Sequence, residues 1–374
     1  MKVLMNAISA RRGGIATYTR NMIATLPREG VDAKIAVPPD LASTDPSATI
    51  AVEIGRYGAV RRFFWDQMVW RRTVQAERPD VLFSSANFGL LNSPVRQLLL
   101  MREGGLFNPY YLDHVFSTLS FRTQQLHRLR RRLMQMSIRH ADAVMFPSAT
   151  LRDWVARFEP GVMARAVVNS YGINLGRFTP RDEAPPGNSA PLRLLYVSVY
   201  YPHKDPLSFA RAVAILRSKG RAAVGRITMD RNDFGPWPNR IDEYDALLKH
   251  QADGDIMLGS VDSQALPALY SASDIFVFPS ISETFGFPLV EAMASGVPVI
   301  AADTLINREV CGPAALYFPP QDAEILAERI NDLAERRDLY QWLRAEGLER
   351  ARQRFSWHAH LGRLVTIFHN MIGK

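Results

Sequence analysis

Two glutamates, Glu283 and Glu291, stand in the stretch Phe278–Asp303 (FPSISETFGFPLVEAMASGVPVIAAD), and they are the residues best placed to do chemistry. A strand ends near Phe278, and a loop runs from Pro279 to Gly286. Pro288 suits the first position of a helix, where its missing N–H costs nothing. Gly296 can take the left-handed conformation that stops the helix, and Pro298 prevents continuation. Such a junction leaves backbone N–H groups unpaired, those of Phe287 and Leu289 among the candidates, and an anion is stabilised there. Gly286 lets backbone approach a ligand closely. Glu291, the fourth helical residue, leans back toward the amino end. A carboxylate beside phosphate is repulsive, so its natural partner is a neutral diol such as a ribose. Glu283, in the loop, would meet sugar hydroxyls. Two hydroxyl-seeking acids flanking an anion site make sense for a nucleotide sugar.

A junction of this kind needs a parallel sheet behind it. Strand-like apolar runs occur at Lys2–Ala7, Ala33–Val37, Val81–Ser84, Leu98–Met101 and Ala143–Phe146. Gly13-Gly14 follows the first, and Ile15, Tyr18, Met22 and Leu26 then mark an amphipathic helix. Alternation of strands and helices means right-handed βαβ units with both sheet faces covered. Residues 181–191 (RDEAPPGNSAP) read as a linker. A second series follows, with strands at Leu192–Ser198, Ile227–Met229, Ile256–Leu258, Ile275–Phe278 and Val299–Ala302. Helices are expected at Pro206–Ser218, Leu266–Ser271, Leu289–Ala294 and Ala323–Glu335. The expected class is α/β, with two Rossmann-like doubly wound domains and a two-substrate site in the cleft between them. The domains are expected at 1–180 and 192–352, with 353–374 returning to the first.

Glu283 and Glu291, with E-T-F-G-F-P-L-V-E followed by A-M-A-S-G-V-P-V-I, resemble the motif of retaining glycosyltransferases of family 4, which have the GT-B fold. The resemblance is dense from about residue 190 to 335 and includes Leu269–Asp274, Leu258–Val261 and Ala314–Pro320. It implies that Glu283 contacts the transferred sugar and Glu291 the ribose. Backbone near Phe285, Gly286, Phe287 and Leu289 would hold donor phosphate or sugar, and the loop with Gly259 would line the base pocket. Lys204 falls on the family's lysine and would neutralise charge on the leaving diphosphate. Gly13 and Gly14 would face donor phosphate and acceptor. The implied reaction retains the anomeric configuration and needs neither metal nor cofactor beyond a GDP- or UDP-linked sugar donor.

The chain departs from the family pattern twice. Val199 stands where an arginine is usual, so one phosphate contact is missing or supplied elsewhere, with Arg308 and Arg11 as candidates. Arg102 and Glu103 stand where many relatives have an acceptor-side histidine. A protein that binds nucleotide sugar or glycan without turnover is therefore the alternative reading. An epimerase or phosphorylase lacks its expected residues here, and no G-x-G-x-x-G follows a strand as a dehydrogenase would need.

Bulk composition narrows the setting. The chain has 374 residues, more than one hydrophobic core usually supports, and 47% of them are apolar. Its one cysteine, Cys311, excludes an intrachain disulfide. The amino terminus does not read as a secretory signal, and no run of about 18 apolar residues suggests a membrane span. A cytoplasmic location is expected. Residues 1–180 hold 24 Lys and Arg against 13 Asp and Glu, so they carry the whole excess of the net charge of +8. Arg122, Arg128, Arg130, Arg131, Arg132 and Arg139 lie in a stretch free of acids between Asp113 and Asp142. With Leu126, Leu129, Leu133, Met134 and Ile138 they form a basic amphipathic helix. It is either a solvated face or a surface for anionic lipid or an acidic acceptor, which makes a glycan or lipid-linked glycan the expected acceptor. Nucleic acid is not expected, since no binding motif accompanies the charge. Phe63, Phe64, Trp65, Met68 and Trp70 read as helix core, and His203 as a loop histidine without metal spacing.

Overall fold

Strand β1 (Lys2–Asn6) sits inside a seven-stranded, all-parallel sheet with β2 (Asp32–Val37), β3 (Thr49–Ala51), β4 (Val81–Ser84), β5 (Arg96–Leu100), β6 (Ala143–Phe146) and β7 (Ala166–Val168). The spatial order is β3-β2-β1-β4-β5-β6-β7. Val3 pairs with Ala33 on one side and Val81 on the other, so the chain winds outward from β1 in both directions. The second sheet has six parallel strands: β8 (Leu192–Tyr196), β9 (Ala223–Ile227), β10 (Ile256–Leu258), β11 (Ile275–Phe278), β12 (Val299–Ala302) and β13 (Ala315–Phe318). Its order is β10-β9-β8-β11-β12-β13. Each sheet therefore has one switch point, between β1 and β4 and between β8 and β11, where ligands of open α/β sheets bind. This computed structural model describes residues 1–11, 14–42, 45–180 and 190–373. Gly13 and most of the expected linker, 181–189, lie outside them. The chain divides into two units, one of Met1–Ser170 with His360–Lys374 and one of Tyr171–Ala359.

Central strands read as continuous apolar runs because helices cover both faces. β4, β11 and β12 are buried at every residue. Three strands were not expected: β3 (TIA), β7 (AVV) and β13 (ALYF) are short and lie at sheet edges, where one partner and partial burial suffice. β9 starts four residues earlier than expected and ends two earlier, because Gly225 and Arg226 interrupt its apolar run.

The last helix, Trp357–Ile372, belongs to the first unit from His360 onward. His360 is buried there between the Ser170 carbonyl at 2.9 Å and the Tyr18 hydroxyl at 3.1 Å. Phe368 meets the Phe83 ring edge-on at 5.7 Å. Cys311 is wholly buried in the second unit, and burial pushes its thiol up to about 12.

The basic helix runs Phe121–His140, capped by Ser120, but only its second half packs inward. Leu133, Met134, Ser137 and Ile138 are buried, whereas Leu126 and Leu129 are 51% and 41% exposed. The aromatic cluster at 63–70 divides likewise: Phe63 and Trp70 are core, and Phe64 and Met68 are exposed.

Candidate active site

The loop after β8 carries Lys204 and the loop after β11 carries Glu283, and the two strands are neighbours at the switch point of the second unit. Backbone ties the loops together: the Ile281 N–H donates to the His203 carbonyl at 3.0 Å. Lys204 is held on both sides, its N–H donating to Tyr201 O at 2.9 Å and its carbonyl accepting from the Tyr196 hydroxyl at 2.7 Å. Burial, and then the Glu283 charge, raise Tyr196 well above its ordinary value, so it stays a neutral donor. The Lys204 ammonium meets the Glu283 carboxylate in an ion pair, each side chain 13% exposed. The two residues expected to do the central chemistry are thus in direct contact.

The helix after this loop spans Phe287–Ala294, one residue longer at its start than Pro288 implied. Gly286 caps it at φ 85° and ψ 63°, a left-handed conformation. A Cβ there would also lie 2.9 Å from Leu289 Cδ1, so glycine is required twice over. The Leu289 N–H is not available to a ligand as expected, because it donates to Gly286 O at 3.0 Å in closing the first turn. The Leu289 side chain is fully buried. Phe285 is 1% exposed and packs edge-on against Tyr171 and Phe355, while Phe287 stacks on Tyr171 with centroids 5.1 Å apart. These two rings anchor the junction. Gly296, at φ 64°, stops the helix, with Val297 N–H donating to Ala292 O at 3.0 Å.

Glu291 lies one turn in, and its Oε2 accepts from the Tyr270 hydroxyl at 2.9 Å. Burial raises the Glu291 carboxyl above the usual range, opposed by the Tyr270 hydrogen bond and the charge of Arg177. Tyr270 is itself fully buried, packed against Phe178 and Phe276. Gly259 follows β10 at φ 147°, and its carbonyl accepts from Arg226 Nη2 at 3.1 Å. A hydrogen bond from Ser260 holds the Asp230 carboxyl low, tying the same loop from its other side. Tyr270, Arg226 and Asp230 were not foreseen. An arginine inside the otherwise apolar β9 was the one visible signal among them.

Val199 is 55% exposed and brings no charge to the loop. Neighbouring Tyr200 is buried, stacked on Phe234 at 3.7 Å, its hydroxyl donating to Glu243 Oε2 at 2.5 Å. Arg308, offered as a substitute for the missing arginine, pairs with both oxygens of Asp303. Cavities of about 620 and 380 Å³ share Arg211 and Gln321, and Lys204, Glu283 and Glu291 line neither.

In the first unit Gly14 opens the helix Gly14–Thr25 and is exposed. Arg102 and Glu103 follow β5, where both backbone N–H groups donate to Asn87 Oδ1 at 2.7 and 2.9 Å. Glu103 pairs with Arg130 at 2.6 Å, which ties down one of the two expected substitutes for a histidine. Asp66, also unforeseen, is 5% exposed and accepts from Asn6 Nδ2 at 3.0 Å at the end of β1.

Two doubly wound parallel sheets, each with loops converging at a switch point, define a GT-B type α/β protein. Residues 181–350 match the glycosyl transferases group 1 family, and residues 13–172 match the glycosyl transferase 4-like domain. The chain belongs to the group 1 glycosyltransferase family. It is 30% identical over 164 residues to O-antigen chain mannosyltransferase B of Escherichia coli, covering 44% of this chain and 42% of that one. The chain spans about half the length of the curated relatives it matches. Sucrose-phosphate synthase from Thermosynechococcus elongatus superposes with a TM-score of 0.78 over 100% of this chain and 99% of that one, at 19% identity. Anabaena HepE, solved with UDP and glucose, gives 0.75 over 99% of this chain and 100% of that one, at 15% identity. At such identities the likeness concerns the fold.

Proposed function

We propose that the chain transfers a hexose of mannose or glucose type from a GDP- or UDP-linked donor to a hydroxyl of a glycan or lipid-linked glycan, with retention of configuration. The observation that carries this reading is the Lys204–Glu283 pair at the switch point, with the Glu291–Tyr270 pair on the helix that follows the Glu283 loop. The donor diphosphate displaces Glu283 from the Lys204 ammonium, which then neutralises charge on the leaving group. The released Glu283 carboxylate accepts from hydroxyls of the transferred sugar. Glu291, held by Tyr270, accepts from the ribose diol. The leaving phosphate takes the acceptor proton on the same face, and no metal or enzyme-bound sugar is used. The mannosyltransferase relative favours a mannose donor, while HepE with UDP and glucose keeps the uridine donors in view.

The protein works at the cytoplasmic face of a membrane in this reading. No helix among the described residues is long and apolar enough to cross a bilayer. Phe121 is 75% exposed and stands with exposed Leu126 and Leu129 among Arg122, Arg128 and Arg132, a basic and apolar surface suited to anionic lipid. Retention on anionic liposomes at low salt, lost in Leu126→Asp, supports this placement; no retention removes it.

Thermal shifts with UDP, GDP, ADP, dTDP and their sugars, on wild type and Glu291→Ala, test the donor reading. A ligand at ~100 times its dissociation constant stabilises by about 2.7 kcal/mol. A shift confined to one nucleotide, lost in Glu291→Ala, supports it. A shift without donor turnover favours the binding-only alternative, for which the uncharged, exposed Val199 speaks. No shift from any nucleotide refutes the transferase reading and leaves a protein that binds glycan without turnover.

A further inference from the structure

We propose that the first unit holds a phosphate-binding subsite, built by Arg62 and Arg130 outside the carboxyl ends of β1, β4 and β5, that takes a phosphate or diphosphate of the acceptor. This rests on the transferase reading above. The place is the switch point between β1 and β4, the position where an open parallel sheet receives a ligand. Asn6 ends β1 and fixes Asp66, and Arg62 stands one helical turn before Asp66. Glu103 follows β5 and fixes Arg130, which reaches in from the helix Phe121–His140. The helix Ala59–Trp65, which bears Arg62, packs against that same helix.

The charges at this spot do not balance. Arg62 lies in the fields of Arg130, Arg11 and Asp66, three arginines in all with itself. Asp66 is a weak counterion because burial pushes it up to about 7, leaving it about half protonated at neutral pH. Glu103 answers one guanidinium. The cluster is therefore net positive, and repulsion by Arg130 and Arg11, after burial, lowers Arg62 itself.

Hydrogen bonding is unfinished at the same two residues. The Nε atoms of Arg62 and Arg130 are both buried and have no hydrogen-bond partner. A buried donor left without a partner is costly, the more so when charged. Two guanidinium forks arriving from two helices ask for a ligand with at least three acceptor oxygens on one centre. A carboxylate can fill one fork, whereas a phosphate fills both. A purely structural ion cluster would pair these donors internally. Here these two donors have no partner, while Asp66 accepts from Asn6 and Glu103 pairs with Arg130.

The test is calorimetric titration of inorganic pyrophosphate, at low salt, into the full chain saturated with the nucleoside diphosphate that stabilises it. Saturation fills the second unit's own phosphate site. Should no nucleotide bind, Lys204→Met replaces saturation by removing that site's cation, so failure of the donor reading does not hide the result. Wild type is expected to bind one pyrophosphate, Arg62→Gln to bind about tenfold more weakly or worse, and Arg62→Lys to fall between. Arg96→Gln removes the same charge at the amino end of β5, where Arg96 pairs with Asp142, and should match wild type. Melting temperatures, and nucleotide stabilisation where it occurs, show that each variant is folded. An alkyl diphosphate should displace pyrophosphate and an uncharged alkyl glycoside should not. No binding by wild type, or equal binding by Arg62→Gln, overturns the subsite. Failure of the alkyl diphosphate to compete overturns its assignment to an acceptor.

Discussion

Separating Lys204 from Glu283 tests the centre of the proposed mechanism, and the structure sets the size of the effect. Both side chains are 13% exposed, so the pair is closer to a buried bridge than to a surface one. Removing one partner of a fully buried pair costs about 3–5 kcal/mol, and an exposed pair is worth about 1 kcal/mol at most. Lys204→Met, which strands a carboxylate on a short stem, should therefore destabilise the second unit by about 2–3 kcal/mol. Glu283→Gln keeps the volume and leaves a long, flexible lysine that can turn its ammonium to water, so about 1–2 kcal/mol is expected. The double variant should cost less than the sum by about 1–2 kcal/mol. Urea unfolding reads these values.

Ligand binding should then split the two variants in opposite directions. Lys204→Met loses the cation and weakens nucleoside diphosphate. Glu283→Gln removes the competitor for that cation, and affinity should rise by up to about tenfold, or about 1.4 kcal/mol. Turnover, followed as nucleoside diphosphate release, should fall in both, by about 10²-fold or more in Lys204→Met. Equal weakening of nucleotide binding by both substitutions would refute the displacement of Glu283 by the donor. Strict additivity of the two stability losses would refute the ion pair.

Gly286→Ala forces a left-handed conformation and a 2.9 Å approach to Leu289, so it should cost about 1–2 kcal/mol and abolish nucleotide stabilisation, read together in one thermal-shift series. Tyr270→Phe removes the hydroxyl that Glu291 accepts from; about 1–2 kcal/mol of stability and part of the nucleotide affinity should go with it, by unfolding and calorimetry. Asp66, raised to about 7, favours the fold most below its ordinary value of 3.8, and that contribution is lost as pH climbs through 7. Asp66→Asn should flatten this decline, a difference of a few kcal/mol between about pH 4 and 8, and parallel urea midpoints for both proteins would show that the group is not perturbed.

The punctuation of Phe278–Asp303 made the strand, loop and helix stop legible, because glycine and proline act through local backbone geometry. The helices Pro206–Ser218 and Ala323–Glu335 were legible from apolar periodicity, and they stand at the expected residues. Edge strands such as β3 and β7 were not, since a three-residue strand with one partner leaves no pattern to read. The residues that position the site were hidden for a different reason. Tyr270 lies 21 residues from Glu291, and Arg226 lies 33 from Gly259. Asp66 resembles any polar residue of an amphipathic helix until the end of β1 that it meets is known. Local chemistry can be read from spacing, whereas partners supplied by a neighbouring strand or helix depend on the fold.

The single thiol of this chain makes it well suited to site-specific labelling. Cys311 has no exposed surface, and a thiol titrating near 12 is ionised in only about one molecule in 10⁵ at neutral pH. Maleimide and disulfide reagents should therefore pass the native protein by. A cysteine introduced at Val199, already 55% exposed and uncharged, would be the one reactive position, with no background to remove. A fluorophore there would sit on the loop that carries Lys204 and report its movement when a ligand arrives.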